Sequence, residues 1–426
     1  WNGEVVSEYV RICPEDFQGI TPKLDVAVED SVKAGAPLFF DKKYPEMSFA
    51  SPVSGVITAI ERGEKRRILF VEIKADNAIQ YKDFGKKEIA TLSGEEVKKT
   101  ILHAGIWFLI KQRPYDVVAF PDKQPRDIFV TAFDTSPLAP SIDFILNGCE
   151  RDLQTGLDAL AKLTAGKVYL GISSQTVPDA LLNMQNVVIT EFEGPHPAGN
   201  VGVQINQIKP VNKGETVWTL NAPDVALIGR LFNEGIVDLT RTIALTGSEV
   251  KQTGYFRMKI GTQLEAIFKG NVTEGIPLRY ISGNPLTGRK IDAEGVLRAY
   301  DTQVTVIPEG NDVHEAFGWA SLSSKRYSAG CTYPPHHKKY RLDARLLGSR
   351  RAIIVSNEYD KVFPMDIYPE QLIKAIIAFN IDKMEQLGIY EVAPEDFALC
   401  EFVDTSKLEL QRIVRIGLDL LRKEME

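Results

Sequence analysis

Residues 30–67, DSVKAGAPLFFDKKYPEMSFASPVSGVITAIERGEKRR, consist of two similar halves. In the first half, a turn containing glycine leads into the apolar run PLFF at residues 37–40. In the second half, a turn of the same kind leads into VITAI at residues 56–60. A turn rich in Gly, Pro or Asp followed by a short β-branched or aromatic run is typical of a small all-β unit. The stretch therefore predicts a β domain at the start of the chain.

Paired halves of this kind resemble the barrel-sandwich of biotinyl and lipoyl carrier domains, in which a lysine lies on the hairpin between the halves. Lys42 falls about there, so a carrier lysine is one interpretation. A swinging arm needs a tight, exposed turn, whereas the bulky residues Tyr44, Met47 and Phe49 follow Lys42 before the second half begins. These residues favour a packed or partner-facing loop. We therefore predict a structural barrel-sandwich over residues 1–82.

The composition excludes several classes of protein. The chain has 426 residues, of which 44% are hydrophobic and 25% charged, as in a soluble globular protein of about three domains. Its net charge of −7 argues against non-specific nucleic-acid binding. The four cysteines lie far apart without a C-x-x-C pair, so neither a zinc finger nor an iron–sulfur cluster is encoded locally, and reduced thiols are expected. No run of 18 apolar residues and no signal peptide is found.

Strands and helices alternate between residues 126 and 245. The runs IFVTA (128–132), VYLGI (168–172) and VVIT (187–190) indicate buried strands, and apolar residues at helical spacing lie between the first two. Pro223 and Gly235 mark the start and the end of a further helix. This alternation predicts a mostly parallel sheet in a Rossmann-like α/β domain, residues 83–250. The fingerprint G-x-G-x-x-G and the phosphate loop are absent, and the Gly-rich segment 194–202 could hold an anion or be structural.

The last third of the chain divides into two further regions. Short strand-like pieces separated by Gly and Asn turns predict a β-grasp-like domain, residues 251–320. Residues 321–426 are predicted to be a C-terminal helical region, in which Ser406 and Glu409 form the capping-box pattern of the last helix. Residues 321–351 contain eight Lys or Arg against one Asp, which indicates a solvated loop or a patch facing anionic lipid or an acidic partner. The adjacent His336 and His337 are not taken as a metal site, because no further ligands are apparent.

An aromatic and then cationic run follows a helix whose start is marked by Ser93 and Glu96 in the capping-box pattern. Residues 104–115, AGIWFLIKQRPY, begin apolar and end in two cations, a proline and a tyrosine. One interpretation is a core helix or strand with a charged end. The other is an apolar slot with Arg113 and Tyr115 as hydrogen-bond donors, which is the chemistry that a quinone headgroup requires. No nucleophile–base pair, metal cluster or phosphate loop emerges elsewhere, so we assign no catalytic and no metal-binding residue.

Several blocks of sequence resemble the A subunit of the Na+-translocating NADH:quinone reductase (NQR) family. They occur in order along almost the whole chain: Gly35-x-Pro37-Leu38-Phe39-x-Asp41-Lys42-Lys43, Phe49-x-Ser51-Pro52-Val53-Ser54-Gly55, Arg62-Gly63-x-Lys65-Arg66, Phe129-Val130-Thr131-Ala132-Phe133-Asp134-Thr135, Gly194-Pro195-His196-Pro197-Ala198-Gly199, Phe317-Gly318-Trp319-Ala320, Tyr359-x-Lys361-Val362-x-Pro364-Met365-Asp366 and Glu395-Asp396-x-Ala398-Leu399-Cys400-x-Phe402-Val403. One departure occurs after Cys400, where the family continues with a second cysteine and a Pro-Gly-Lys-Tyr stretch and this chain has DTSKL at residues 404–408.

The resemblance implies a peripheral subunit, without a transmembrane helix, on the cytoplasmic face of a bacterial inner membrane. Its partners would be the membrane-embedded and flavin-bearing subunits that oxidise NADH, reduce ubiquinone or menaquinone and export sodium. It implies an oxidoreductase subunit that is inactive alone, with quinone as substrate and neither flavin nor iron–sulfur cluster in this chain. It also implies an architecture similar to the flavin-binding subunit of respiratory complex I and to the C subunit of Rnf-type complexes, with an SLBB-type β-grasp domain. The missing flavin loop and cysteine quartet agree with a Rossmann-like scaffold that holds no nucleotide.

The resemblance leaves open where a quinone would bind. Our hypothesis from the residues is a slot lined by Trp107, Ile110, Arg113 and Tyr115, with Phe17 from the loop that enters the barrel. Arg113 would be a donor to the quinone oxygens. The alternative is a non-catalytic docking or scaffold subunit of the same complex that binds no quinone by itself. A stand-alone flavin or NADH oxidoreductase is excluded by the missing phosphate-binding loops.

Overall fold

The computed structural model describes residues 1–175, 179–311, 327 and 339–425. Within these ranges the strands are β1 (Tyr9–Ile12), β2 (Pro22–Leu24), β3 (Ser31–Val32), β4 (Pro37–Asp41), β5 (Ser48–Ala50), β6 (Gly55–Arg62), β7 (Ile68–Ala75), β8 (Lys111–Arg113), β9 (Val117–Val118), β10 (Ile128–Thr131), β11 (Val168–Ser173), β12 (Val188–Phe192), β13 (Val217–Asn221), β14 (Thr240–Thr246), β15 (Gly254–Lys259), β16 (Leu278–Ser282), β17 (Arg289–Ile291) and β18 (Gln303–Pro308). The helices are α1 (Gly94–His103), α2 (Ile142–Leu146), α3 (Glu150–Ala161), α4 (Asp179–Leu182), α5 (Val201–Ile208), α6 (Ala222–Glu234), α7 (Glu265–Phe268), α8 (Pro369–Ile377), α9 (Ile381–Gln386), α10 (Ala398–Val403) and α11 (Leu410–Met425).

The N-terminal region folds into two small antiparallel sheets, of order β1-β7-β6-β3 and β2-β4-β5. The two predicted halves supply β4 and β6. Lys42 is exposed between β4 and β5, but Met47 in the same connection and Phe49 on β5 are each only 1% exposed. Phe49 stacks on Phe39 and on Phe108 of the next region, with ring centroids 4.8 and 5.9 Å apart. The loop is therefore packed against its neighbour, as its bulky residues predict, which is unlike a mobile carrier hairpin.

The second region is built on a six-stranded sheet of order β12-β11-β10-β13-β8-β9. Strands β10 to β13 are parallel to one another, and β8 runs antiparallel to β13. Helices α3 and α6 pack together on one face of this sheet, and α5 lies against the other face. The predicted helix end is confirmed, since Gly235 follows α6 in the left-handed conformation at φ 71°.

The order of strands creates a switch point in this sheet. From β10 the chain proceeds outward through β11 and β12, and then returns to add β13 on the opposite side of β10. The connections on either side of the β10–β13 pair therefore leave in opposite directions at the carboxyl ends of the strands. In open parallel sheets, a crevice for ligands forms at this position.

A mixed five-stranded sheet of order β15-β14-β18-β16-β17 forms the third region, and the short helix α7 packs on it. Short strands are present in this region, as its sequence predicts. The C-terminal helices α8, α10 and α11 pack around their own core, which includes Leu372, Phe397 and Leu418. Among the described residues, no helix is both long enough and apolar enough to cross a membrane.

Two predicted capping boxes have different outcomes. The one at Ser93 is present, because its hydroxyl accepts from the Glu96 backbone while the Glu96 carboxylate accepts from the Ser93 N–H. The one at Ser406 is wrong. The Ser406 hydroxyl donates to the carbonyl of Ala352, and Glu409 pairs instead with basic side chains, because α11 begins only at Leu410. His336 and His337, and the basic residues Lys325, Arg326 and Lys338, lie outside the described residues.

Candidate functional site

A cavity of about 490 Å³ opens at the switch point of the parallel sheet. Its wall includes Thr131 at the carboxyl end of β10 and Asn221 at the carboxyl end of β13. The other three regions also contribute, with Asp16 from the barrel, Tyr300 from the third region and Arg415 from α11. Cavities of this size at domain junctions are the usual place for a small organic ligand. The cavity is therefore the strongest candidate site in the described part of the chain.

Several cations in the cavity wall are fixed by acidic neighbours. Arg298 donates to Asp16 at 2.5 Å and to Glu15 at 2.8 Å, and Arg289 forms a 2.5 Å ion pair with the same Glu15. Because Glu15 pairs with both arginines and Asp16 pairs with Arg298 as well, these arginines are held in place rather than free to follow a ligand. They form a rigid polar rim between the barrel and the third region.

Lys111 and Arg415 are two further cations of the cavity wall. The Lys111 ammonium lies 4.4 Å from the centroid of the Tyr300 ring, a cation–π contact in which no proton donor of the ammonium is used. Arg415 donates to the backbone carbonyls of Tyr115 and Asp116. Tyr300 donates its own hydroxyl to the carbonyl of Phe108 at 2.7 Å. Lys111 is thus the cavity cation best able to donate to a ligand oxygen.

Titratable groups in the wall have shifted pKa values. Burial raises the pKa of Asp301 to about 6, and repulsion from Asp16 adds to the effect. Burial also raises the pKa of Tyr300 well above its ordinary value, and it lowers the pKa of His196. The ring of His196 is fixed by a 3.1 Å hydrogen bond between Nδ1 and the hydroxyl of Thr135. Asp301 is therefore a wall carboxyl whose charge can change not far below neutral pH.

Asp301 is expected to make the protein less stable as the pH rises. The pKa of an aspartate in the unfolded chain is about 3.9, so between about pH 4 and pH 6 the folded state binds more protons than the unfolded state. The free energy of unfolding therefore falls through this window and stays low above it. Asp301→Asn, which keeps an acceptor for the Ser282 hydroxyl, should be about 1–2 kcal/mol more stable than wild type at pH 7.5 and equal to it near pH 4.

Urea unfolding at a series of pH values measures this difference. The matched control is Asp292→Asn, which makes the same substitution at an exposed aspartate of the same region. An Asp301→Asn variant whose stability follows wild type at every pH would show that this carboxyl keeps an ordinary pKa.

Three of the five predicted site residues lie in the core. Phe17 is 3% exposed and packs between Phe49 and Phe108, with ring centroids 4.7 and 4.8 Å away. Trp107 and Ile110 are fully buried. The indole of Trp107 donates to the carbonyl of Ala119 at 2.7 Å, so its polar atom is already satisfied.

The remaining two predicted residues contact the C-terminal region. Arg113 donates to Asp396 at 2.9 Å and to Glu395 at 2.8 Å, and its side chain is 1% exposed. Burial raises the pKa of Glu395 above its ordinary range, and repulsion from Asp396 adds to this, although Arg113 opposes it. Tyr115 has a positive φ of 85° and packs against the C-terminal core.

The structure thus places the five predicted residues behind the cavity rather than in its lining. Phe17, Trp107 and Ile110 are apolar packing, and their role in quinone binding stays a prediction. The same segment nevertheless reaches the cavity through Lys111 and Asp116, which flank Arg113 and Tyr115 in the sequence. The first cation of the run was the signal that could have identified Lys111.

The Gly-rich segment 194–202 closes on the end of β10 instead of forming an open cradle. The N–H of Gly199 donates to the hydroxyl of Thr135 at 2.9 Å, and a Cβ at Gly199 would lie 2.5 Å from the carbonyl oxygen of Phe133. The N–H groups of Ala198 and Asn200 are used within the loop. These N–H groups are not available to a phosphate, which favours the structural interpretation of the segment. Among the described residues, no three His, Cys, Asp or Glu side chains group as metal ligands.

The fold and the cavity define a multidomain α/β protein with a ligand-sized cleft where its domains meet. Comparison with known proteins gives the family. Family models match residues 2–76 as the NqrA N-terminal barrel-sandwich hybrid domain, residues 92–237 as the NqrA second alpha/beta domain and residues 242–293 as the NQRA C-terminal domain, of SLBB type. The chain belongs to the NqrA family, the A subunits of Na(+)-translocating NADH-quinone reductases, as its sequence predicts, and these subunits are parts of an oxidoreductase complex.

Two relatives show the extent of the similarity. The A subunit of the Na(+)-translocating NADH-quinone reductase of Neisseria meningitidis serogroup A is 36% identical over 431 residues, which cover 100% of this chain and 95% of that protein. The corresponding protein of Haemophilus influenzae strain Rd is 36% identical over 430 residues, covering 99% and 95%. A solved NAD+-reducing [NiFe]-hydrogenase matches 55% of this chain and 53% of its own at a TM-score of 0.37 and 14% identity, which is too distant to support an argument.

Proposed function

We propose that this chain is the subunit of a bacterial Na+-pumping NADH:quinone oxidoreductase that contributes to quinone binding and reduction coupled to sodium export. We place the quinone headgroup in the cavity at the switch point. The observation that carries this proposal is the position of the cavity, at the carboxyl ends of β10 and β13 and in contact with all four regions of the chain. A ligand there would contact all four regions at once. Its binding or reduction could therefore change how these regions pack against one another.

The lining of the cavity suits a quinone headgroup. A quinone needs an apolar wall for its ring and one or two donors for its carbonyl oxygens. Phe133, Ile142 and Val201 supply apolar surface, while Lys111 and Asn200 supply donors. Reduction of a quinone adds two electrons and two protons, so donors close to its oxygens are also where negative charge would develop.

The five residues predicted from the sequence act in this proposal as support for the cavity. Phe17, Trp107 and Ile110 form the packed wall behind Lys111. Arg113 holds Glu395, which lines the cavity, and Tyr115 directly precedes Asp116, which also lines it. We keep the predicted division at residues 82, 250 and 320, with a Rossmann-like second domain and a helical fourth region, as part of this proposal.

The proposal includes the surroundings of the protein. We place it on the cytoplasmic face of the inner membrane, bound to the membrane-embedded and flavin-bearing subunits of the complex. NADH would be oxidised by those partners, and electrons would reach the quinone from them. We propose that this chain itself holds no flavin and no iron–sulfur cluster, in agreement with the closed Gly-rich segment.

Lys111→Ala is expected to weaken quinone binding about tenfold, because a charged hydrogen bond contributes roughly 1.5–3 kcal/mol. Binding is measured by titrating the purified chain with a soluble ubiquinone analogue while following tryptophan fluorescence, with free tryptophan correcting for absorption by the quinone. Trp107 and Trp218 lie behind the cavity and should be quenched. The matched control is Lys269→Ala, at an exposed lysine on the far end of α7, which should bind as wild type does.

The docking alternative has its own supporting observation. Part of the cavity wall consists of paired charges, such as Arg298 with Asp16, and these contribute nothing to the binding of an apolar ring. Wild-type quenching that never saturates would favour a docking role without a quinone site of its own. If wild type and Lys111→Ala both saturate with the same affinity, the chain binds quinone, but at a site other than this cavity.

A further inference from the structure

Residues 339–355, KYRLDARLLGSRRAIIV, form an extended segment on the surface of the C-terminal region, which we call the basic strap. Five of its side chains are cationic and only Asp343 is acidic, in a chain whose net charge is −7. In the described part of the chain, no helix or strand falls within these residues. The strap is therefore a positively charged segment in a protein whose net charge is negative.

The basic strap also exposes large apolar side chains. Leu346 and Leu347 are each 57% exposed, Ile354 is 60% exposed and Val355 is 55% exposed. Single exposed apolar residues are common, but four within ten positions of one segment form an unusual concentration. Apolar and cationic side chains thus alternate along the same exposed stretch.

Backbone contacts hold the basic strap against the folded protein. The N–H of Ala344 donates to the carbonyl of Pro308, and the N–H of Arg351 donates to the carbonyl of Ser406. The hydroxyl of Ser406 in turn donates to the carbonyl of Ala352 at 3.1 Å. The segment is anchored at both of its halves, so the exposed leucines between them are presented on a fixed support.

Ion pairs do not cancel the positive charge of the basic strap. Arg341 pairs with Glu249, Arg345 with Asp343, and Arg350 with Glu409. Lys407 beside Gly348 and Arg412 beside Glu409 add two cations to the same surface. Seven cationic side chains therefore stand against three acidic ones, and the guanidinium groups of Arg341 and Arg350 remain 60% and 66% exposed.

We propose that the basic strap binds the surface of an anionic lipid bilayer. Its aliphatic side chains would enter the boundary between headgroups and acyl chains, while its cations would contact lipid phosphates. A protein of net charge −7 is repelled from such a surface unless it presents a positive face, and the strap is such a face. The exposed residues are aliphatic rather than aromatic, which suits acyl chains better than a protein interface. This inference rests on the proposed function, in which the protein works beside a membrane.

Flotation with lipid vesicles tests the proposal on the full chain. Vesicles of phosphatidylcholine with three-tenths phosphatidylglycerol should bind the protein, pure phosphatidylcholine vesicles should bind it at least fivefold less, and 0.5 M NaCl should weaken the binding. The double variant L346D/L347D should bind anionic vesicles about tenfold or more weakly, because two inserted leucines are replaced by charges. The variant Arg351→Ala should lose about fivefold, as expected for one cation near the surface.

Matched variants distinguish this surface from the rest of the protein. Val6→Asp, at a valine that is 79% exposed near the N-terminus, and Lys99→Ala, on α1, should bind vesicles as wild type does. Equal binding of L346D/L347D and wild type, or no binding of wild type to anionic vesicles, would overturn the proposal. Absence of lipid binding combined with weaker docking of L346D/L347D on the partner subunits would assign the strap to an acidic protein surface instead. Quinone titration of L346D/L347D, which should be unchanged, separates failure here from failure of the proposed quinone site.

Discussion

Replacing Arg113 by alanine is expected to lower the free energy of unfolding by about 3–5 kcal/mol, the usual cost of removing one partner of a buried ion pair. Asp396 would be left with a side chain that is 1% exposed and without its counter-charge. Glu395 would lose the same partner. Asp396 also accepts from the N–H of Ala393 at 2.8 Å, which holds the carboxylate in place and prevents it from turning to water.

The pH dependence of Arg113→Ala identifies the cause of the loss. A buried carboxylate without its counter-charge destabilises the folded state only while it is ionised, so the cost of the missing guanidinium falls where carboxyl groups become protonated. The loss in free energy of unfolding relative to wild type is therefore expected to be largest at neutral pH and to become smaller as the pH falls towards about 4. A loss caused only by missing packing would not depend on pH.

Urea unfolding followed by tryptophan fluorescence measures this change, since Trp218 lies opposite Gln112 in the β13–β8 pair next to Arg113. The matched control is Arg350→Ala, which removes an arginine from an exposed ion pair with Glu409 and should cost at most about 1 kcal/mol. If Arg113→Ala lowered the free energy of unfolding no more than this control does, the buried ion pair would contribute little to stability. The double variant R113A/D396A should be more stable than R113A alone, because it leaves no unpaired charge at that position.

Local signals in the sequence predicted most of the elements because each depends on residues close together. The capping box of Ser93 and Glu96 spans one turn, and Gly235 ends α6 through its own backbone conformation. The order of strands and helices followed from apolar periodicity, and the parallel sheet followed from that order. The capping box at Ser406 failed because Asp404 takes the nearby N–H groups and delays the helix.

The candidate site was harder to predict because its contacts are distant in sequence. Arg113 and Lys111 lie two positions apart on β8, so they share one face of the sheet. Which of them lines the cavity is decided by the segment Pro394–Phe397, whose Glu395 and Asp396 pair with Arg113, while Lys111 remains in the cavity wall. No signal within residues 104–115 indicates that Arg113, rather than Lys111, pairs with this distant segment. The same limit applies to Arg298, which enters the cavity wall only through the packing of the third region on the barrel.

Gly229→Ala is expected to lower the free energy of unfolding by about 3 kcal/mol, at the upper end of overpacking costs. Helices α3 and α6 approach each other at two glycines. A Cβ at Gly229 would lie 1.7 Å from the carbonyl oxygen of Asp152, and a Cβ at Gly156 would lie 2.1 Å from that of Val225. Both obstacles are backbone atoms, so the helices must separate. The gain in helix propensity from Gly to Ala, about 1 kcal/mol, is too small to compensate.

Gly417→Ala on α11 is the matched control for this prediction, because it makes the same substitution inside a helix. The nearest atoms to its new Cβ would be side-chain carbons of Ile376, at 2.9 Å, and a side chain can shift by a few tenths of an ångström without separating two helix backbones. Its stability is therefore expected within about 1 kcal/mol of wild type, because the propensity gain offsets the crowding. Urea unfolding compares the two. The double variant G156A/G229A should lose less free energy of unfolding than the two single variants lose together. Both substitutions act on one helix contact, and the helices have already been separated by the first when the second is added. If the loss in the double variant equals the sum of the two single losses, α3 and α6 adjust independently at each glycine. Their close approach would then not be one cooperative contact.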